Sequence, residues 1–231
     1  MAKVKVKKQS TFIDMTAMSD VTVLLLTFFM LTSTFISKEP IQVTTPSSVS
    51  EIKVPEANLI TILVDKQGKL FLSLDYQQDQ VLETLKAVSN DYGYTFTPKQ
   101  EENFKKLKSF GVPIASMAAF LDLPVDKQDA YLMDVNNPRV GIPTDSVEVK
   151  DAVGGTISKD NEFKRWIRYA TQIRDDARKG NPDLPELQLA IKADKQTNYP
   201  IVKKVMDDLR SPELRKNRYL LITNLKTASS D

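Results

Sequence analysis

The longest uninterrupted apolar pattern in the chain runs over residues 21–36, "VTVLLLTFFMLTSTFI", where no side chain is charged. With Ala17, Met18, Ser19 and Asp20 ahead of it, the stretch reaches the ~20 residues that a helix needs to cross ~30 Å of hydrocarbon. The pattern predicts one transmembrane helix over residues 17–37. No second run of comparable length follows.

Further along, the periods shorten and alternate. Residues 59–64 are a continuous apolar and β-branched run, "DKQG" supplies a turn, and Leu70, Leu72 and Leu74 then alternate with other residues, which predicts a β-hairpin. Phe163, Trp166, Ile167, Ala170 and Ile173 recur at helical spacing beside a solvated face of Lys164, Arg165, Arg168, Arg174 and Arg178, ended by Gly180 and Pro182. Leu187, Leu189 and Ile191 alternate as a strand; Ile201, Val202, Val205, Met206 and Leu209 form the next helical stripe; residues 219–225 read as a strand again. Strand, helix and strand in this length imply a crossover with parallel pairing of the last two strands. The expectation is a small α+β domain with a mixed sheet and helices on one face.

A mainly helical insertion is expected at about residues 76–160. Val81, Leu82, Leu85 and Val88 form one stripe there, and Ile114, Met117, Ala118 and Leu121 form another. Between them, "TPKQ" at residues 97–100 has the form of a capping box with proline at the first helical position. These stripes pack on the core or on each other, and partner binding is the sharper alternative. The organisation is then a basic tail (residues 1–16), the membrane helix (17–37), a linker (38–54) and the α+β domain (55–231).

Charge orients the helix. Lys3, Lys5, Lys7 and Lys8 precede it without an acid among them, whereas Lys38 stands beside Glu39 on the far side. The positive-inside rule puts the N-terminus in the cytoplasm and the large C-terminal part on the exported side. A cleavable signal peptide shares the basic start and apolar middle. Against it stand the length of the run, the polar "STFIDMT" separating it from the lysines, and the lack of an A-x-A-like site.

Asp20, Thr27 and Thr34 follow one another at intervals of seven and fall on nearly one face. For the threonines, bonding back to the preceding turn is the plainer account. A charged carboxylate at the membrane centre costs about 2.5–3.5 kcal/mol, and less near the interface, so such acids are usually kept for ion or proton handling. Hydrocarbon favours the neutral form of a carboxyl, the property a proton carrier requires. The alternative for Asp20 is an acid in the headgroup region just ahead of the helix.

Composition removes several functions. The 231 residues include neither Cys nor His, which excludes disulfides, thiolate chemistry, most catalytic triads and most transition-metal sites. No catalytic residue, metal site or cofactor is expected, and the chain is not expected to be an enzyme. With 32 basic and 30 acidic residues, a net charge of +2 gives no field that draws nucleic acid. Gly154 and Gly155 are an isolated pair without a nucleotide-binding signature.

Three blocks carry a family resemblance. "IDMTAMSDVTVLLLTFFM" resembles the N-terminal signature of the ExbD/TolR family of biopolymer-transport proteins through Ile13, Thr16, Asp20, Val21, Leu24, Leu25, Phe29 and Met30, with Ala17 where the family has proline. "VPEANLITILVDKQGKLFL" resembles its "L-P-x-A" and hairpin through Pro55 and Ala57, with Val54 in place of Leu. "LQLAIKADKQTNYPIVKKVMDDLR" resembles a C-terminal block through Ile191, Ala193, Asp194, Tyr199, Val202, Val205, Met206 and Asp207, and "RYLLITNL" fits the last strand. Residues 76–160 are unmatched.

The resemblance implies a proton-driven inner-membrane motor. Dimeric ExbD-like helices sit in a ring of ExbB-type subunits, protons pass by the membrane acid, here Asp20, and the output goes to TonB, which energises outer-membrane transporters. Thr27 and Thr34 extend the polar face, and Pro55, Ala57, Tyr219 and Leu221 are candidate partner contacts. The coupling ion is the proton, and the exported domain lies in the periplasm. A TolR-like subunit serving envelope maintenance and a passive membrane-tethered binding module are the alternatives.

Overall fold

The structure is a computed structural model and describes residues 15–32, 43–45, 47–48, 58–134, 137–145, 161–222 and 224–225. The chain divides into two units, Met1–Lys38 and Glu39–Asp231, which are described separately.

In the first unit, α1 spans Met15–Thr32, with Asp20 its one charged residue. Its eighteen residues extend about 27 Å at the α-helical rise. Among the described residues no helix is long and apolar enough to cross a membrane. The expected span ran to residue 37, and residues 33–37, Thr34 included, lie outside the described residues.

In the second unit, β1 (Ser47–Ser48) is followed by the expected hairpin, β2 (Leu59–Val64) and β3 (Leu70–Asp75). They pair antiparallel from Leu59↔Asp75 to Val64↔Leu70. The turn needs Gly68, whose φ is +81° and whose missing Cβ would stand 2.3 Å from Cδ1 of Ile201. Four helices follow: α2 (Gln78–Asp91), α3 (Pro98–Lys106), α4 (Ile114–Leu121) and α5 (Val125–Met133). The capping box at α3 is present, with Thr97 accepting from the Gln100 amide and the Gln100 side chain accepting from the Thr97 amide.

These helices share the core of the sheet. Val81, Leu85, Val88, Phe104, Met117 and Phe120 join one buried cluster with Ile60, Ile62 and Leu72. The intervening chain also extends the sheet edge: Phe110 exchanges both backbone hydrogen bonds with Leu72, at 2.7 and 2.9 Å, and the Ile142 amide donates to the Leu70 carbonyl at 2.9 Å. A Cβ on Gly111 would lie 2.0 Å from the Phe71 ring, so glycine lets the backbone cover that ring.

The chain continues through α6 (Glu162–Gly180), β4 (Gln188–Ala193), α7 (Tyr199–Arg210), β5 (Leu220–Leu221) and β6 (Asn224–Leu225). The sheet order is β3-β2-β4-β5, antiparallel in the hairpin and parallel across β2-β4 and β4-β5, the mixed sheet expected from the pattern. Register places Ile60, Ile62, Val64, Leu70, Leu72, Leu189 and Ile191 on one face, all buried. A fully buried side chain of this kind contributes roughly 2 kcal/mol.

Two expectations are corrected here. Residues 219–225 are not one strand: β5 lies on β4, whereas β6 pairs in parallel with β1 in a separate two-stranded sheet. The basic face of α6 is not wholly solvated, because Arg165 and Arg174 are buried. Arg165 pairs with Asp91 and lies 5.0 Å over the Tyr92 ring; Arg174 donates to Gln80, Asn58 and the Pro185 carbonyl. These contacts engage the terminal nitrogens of each guanidinium, while the Nε of both Arg165 and Arg174 is buried without a hydrogen-bond partner among the described residues. Residues 1–14 and 146–160, with Pro55 and Ala57, lie outside the described residues.

Candidate functional site

On α1 the hydroxyls are satisfied within the helix. Ser19 donates to the Met15 carbonyl at 2.8 Å, Thr22 to Met18 at 3.0 Å, Thr27 to Leu24 at 2.9 Å and Thr32 to Phe28 at 2.7 Å. This is the back-bonding that lets Ser and Thr sit in apolar surroundings. Asp20 makes no hydrogen bond or ion pair among the described residues. Among the described residues, its polarity is therefore left unanswered where the hydroxyls of Ser19, Thr22, Thr27 and Thr32 are not. It stands at the start of a segment whose Val23, Leu24, Leu25, Phe28 and Phe29 are all exposed in the single chain.

Thr27, seven residues on, shares that side of the helix by periodicity, but its hydroxyl is occupied by Leu24. Thr27 therefore contributes no free hydroxyl donor to that side of the helix.

The second candidate surface is the β5 end of the sheet. Tyr219 is half-buried, accepts a hydrogen bond from Nη2 of Arg210 at 2.8 Å and lies under that guanidinium, 5.7 Å from ring centroid to Cζ. Leu221 is 46% exposed on β5, the last strand in the sheet order. Beside it, residues 186–189 and 215–220, with Thr171, line a groove of about 900 Å³. Its rim carries Arg215, Lys216 and Arg218 against Glu186, so the groove is basic. The structure thus places Tyr219 and Leu221 at the β5 end of the sheet, which has no further strand beyond it among the described residues.

Sequence reasoning missed Glu162. It lies in the first turn of α6 and is 7% exposed; its Oε1 accepts from the Ile114 amide at 2.9 Å and from the Trp166 indole at 3.1 Å. Burial pushes its carboxyl up to about 7, against the lowering effect of those two bonds. The available signal was an acid set between Asn161, which caps α6, and the apolar Phe163.

Among the described residues no group of His, Cys, Asp or Glu is placed to hold a metal ion. Residues 7–101 match the family described as Biopolymer transport protein ExbD/TolR. No curated protein and no solved structure matches the chain. The matched stretch contains Asp20, the hairpin and α2, and ends before Glu162, Tyr219 and Leu221.

Proposed function

Residues 7–101 match the ExbD/TolR family of biopolymer-transport proteins, and on that premise we propose that this chain belongs to it and is the ExbD-like subunit of a proton-driven inner-membrane motor. In this reading α1 is the described part of a membrane anchor that draws also on the uncharged sequence of residues 33–37. The N-terminus is cytoplasmic and the α+β unit periplasmic, following the lysines ahead of the helix. The chain performs no covalent chemistry and uses no cofactor; the proton is its coupling ion.

One observation carries the proposal. Every hydroxyl named above is bonded inside α1, while Asp20 is left without a side-chain partner among the described residues. A lone carboxyl in an apolar helix requires partner helices, and a second copy of this chain within a ring of ExbB-type subunits supplies them. A carboxyl that alternates between neutral and charged forms passes protons one at a time. Each proton crossing the membrane releases about 2.3 kcal/mol per 100 mV, which is available for moving the helix against its ring.

The output passes through the periplasmic unit to a TonB-like protein, for which the exposed edge at Tyr219 and Leu221 is the proposed contact. The Asp20→Asn variant tests the reading in cells. Loss of partner-dependent transport with unchanged membrane insertion and assembly supports it, and retained transport contradicts it. Co-purification separates the ExbD-like role from a TolR-like one, because the membrane ring that comes with the chain differs between them.

A further inference from the structure

Strands β4 and β5 pair only at Ala190↔Leu220 and Ile191↔Leu221. Ahead of that pairing the two chains part, and residues 186–189 and 215–220 line the groove of about 900 Å³ in the fork between them. At the opposite edge of the sheet the chain supplies its own pairing, because Phe110 exchanges both backbone hydrogen bonds with Leu72 and the Ile142 amide donates to Leu70. A segment added to the sheet therefore meets it at the β5 end.

The fork offers both kinds of contact that an extended peptide uses. Leu187 is half-buried and Leu189 buried, and with Tyr219 and Leu220 they give the groove an apolar lining. The Gln188 amide donates to the Asn58 carbonyl on the β2 side, so by strand alternation the Leu189 amide faces the fork. Groups placed in this way recognise a chain in extended form, through backbone bonds and alternate side chains.

Charge decides what that chain carries. Arg215, Lys216 and Arg218 line the fork against one acid, Glu186. Arg215 and Arg218 are exposed and make no ion pair among the described residues, and Lys216 reaches Asp175 only at 3.9 Å. The neighbouring Arg168, by contrast, is paired with Glu213, and Arg210 is held on Tyr219. Cations without local partners attract an anionic segment and repel a basic one.

Arg215 also stands in an unusual conformation. Its φ is +50°, a region that glycine and asparagine enter more readily than arginine. The turn after α7 holds it there: its amide donates to the Ser211 carbonyl at 2.8 Å, and the Lys216 amide donates to Leu209 at 3.0 Å. Its Nε donates to the Pro212 carbonyl at 3.1 Å, which leaves the terminal nitrogens of the guanidinium unengaged among the described residues. Glycine would satisfy this turn, whereas only the guanidinium gives the fork a cation.

We propose that the fork is a docking site for an acidic, extended peptide segment of a protein partner, whose carboxylates meet Arg215 and Arg218 and whose alternate apolar side chains settle on Leu187 and Leu189. The apolar lining favours such a peptide over a polyanion without apolar groups. The inference deepens the partner contact placed above at Tyr219 and Leu221, and it rests on that reading for the partner's role in the motor but not for the binding itself.

The test uses the full chain in detergent and a fluorescent peptide of about ten residues alternating glutamate with valine. Anisotropy is expected to show saturable binding that weakens with added salt. A lysine–valine peptide and poly-glutamate are expected to bind at least about tenfold more weakly. Arg218→Glu is expected to weaken the acidic peptide at least about tenfold, and Arg215→Gly about threefold with no fall in its thermal midpoint, which separates lost charge from lost fold. No saturable binding of the acidic peptide, equal binding of the lysine or poly-glutamate probe, or full affinity in Arg218→Glu each overturns the proposal. Asp20 takes no part in this measurement, so its failure leaves the motor reading to the Asp20→Asn test.

Discussion

Arg174 of α6 donates its Nη2 to the side chain of Asn58, 116 positions earlier, at the residue where the chain turns into the central strand β2. Asn58 holds this place with a φ of +60°, and its carbonyl receives the Gln188 amide at 3.0 Å, so one buried guanidinium pins the starts of β2 and β4. Its acceptors are all uncharged oxygens. Arg174→Ala leaves the buried Gln80 and the half-buried Asn58 without this donor and is expected to cost about 1–3 kcal/mol in urea unfolding. Exposed Arg178→Ala on the same helix is expected to stay within about 0.5 kcal/mol of wild type. Equal effects contradict the assignment.

Gly111 lies so close to Phe71 that an added methyl group meets the ring at 2.0 Å, and the ring is itself buried. Gly111→Ala is expected to destabilise the domain by about 1–3 kcal/mol. At Gly180, which ends α6 with open space around the missing Cβ, Gly180→Ala is expected to add about 0.5–1 kcal/mol. Thermal unfolding of the two variants should move in opposite directions.

How much of this was legible in the sequence depends on the range of the interactions. The hairpin was legible because Leu70, Leu72 and Leu74 alternate after a turn that only Gly68 closes, and the start of α3 because Thr97 and Gln100 bond each other across three residues. Phe163, Trp166, Ile167 and Ala170 are all buried as their spacing required. What the spacing hid was the fate of Arg165 and Arg174. Both occupy positions where charge reads as solvent, yet their partners Asp91, Gln80 and Asn58 lie 74 to 116 residues away. The same distance hid Glu162, whose partner Ile114 sits on another helix. The break of residues 219–225 into β5 and β6 depends on β1, a two-residue strand with no periodic signal of its own.

The pH dependence of stability follows from Glu162. Its folded carboxyl lies near 7, above the ordinary 4.5, so between those values the native state binds more protons than the unfolded chain. Its stabilising contribution is complete below about pH 4.5 and is lost as pH rises through about 7, a change of roughly 3 kcal/mol. Urea midpoints measured from pH 5 to pH 8 should fall in the wild-type chain and flatten in Glu162→Gln. A wild-type midpoint that rises over this interval contradicts the assignment.

Thr97 caps α3 from both sides of its first turn. Thr97→Ala is expected to cost about 1 kcal/mol, and Thr97→Ser, which keeps the hydroxyl, much less. Chemical denaturation of the pair checks this, and equal losses would assign the effect to the methyl group instead.

The central claim is that Asp20, unpartnered in its own helix, is the group that carries protons. The most direct measurement is proton flux into vesicles holding the chain together with its co-purified membrane partners, under an imposed potential. The wild-type complex is expected to pass protons and the equally assembled Asp20→Asn complex to fall to the level of empty vesicles, whereas equal flux through both would contradict the account.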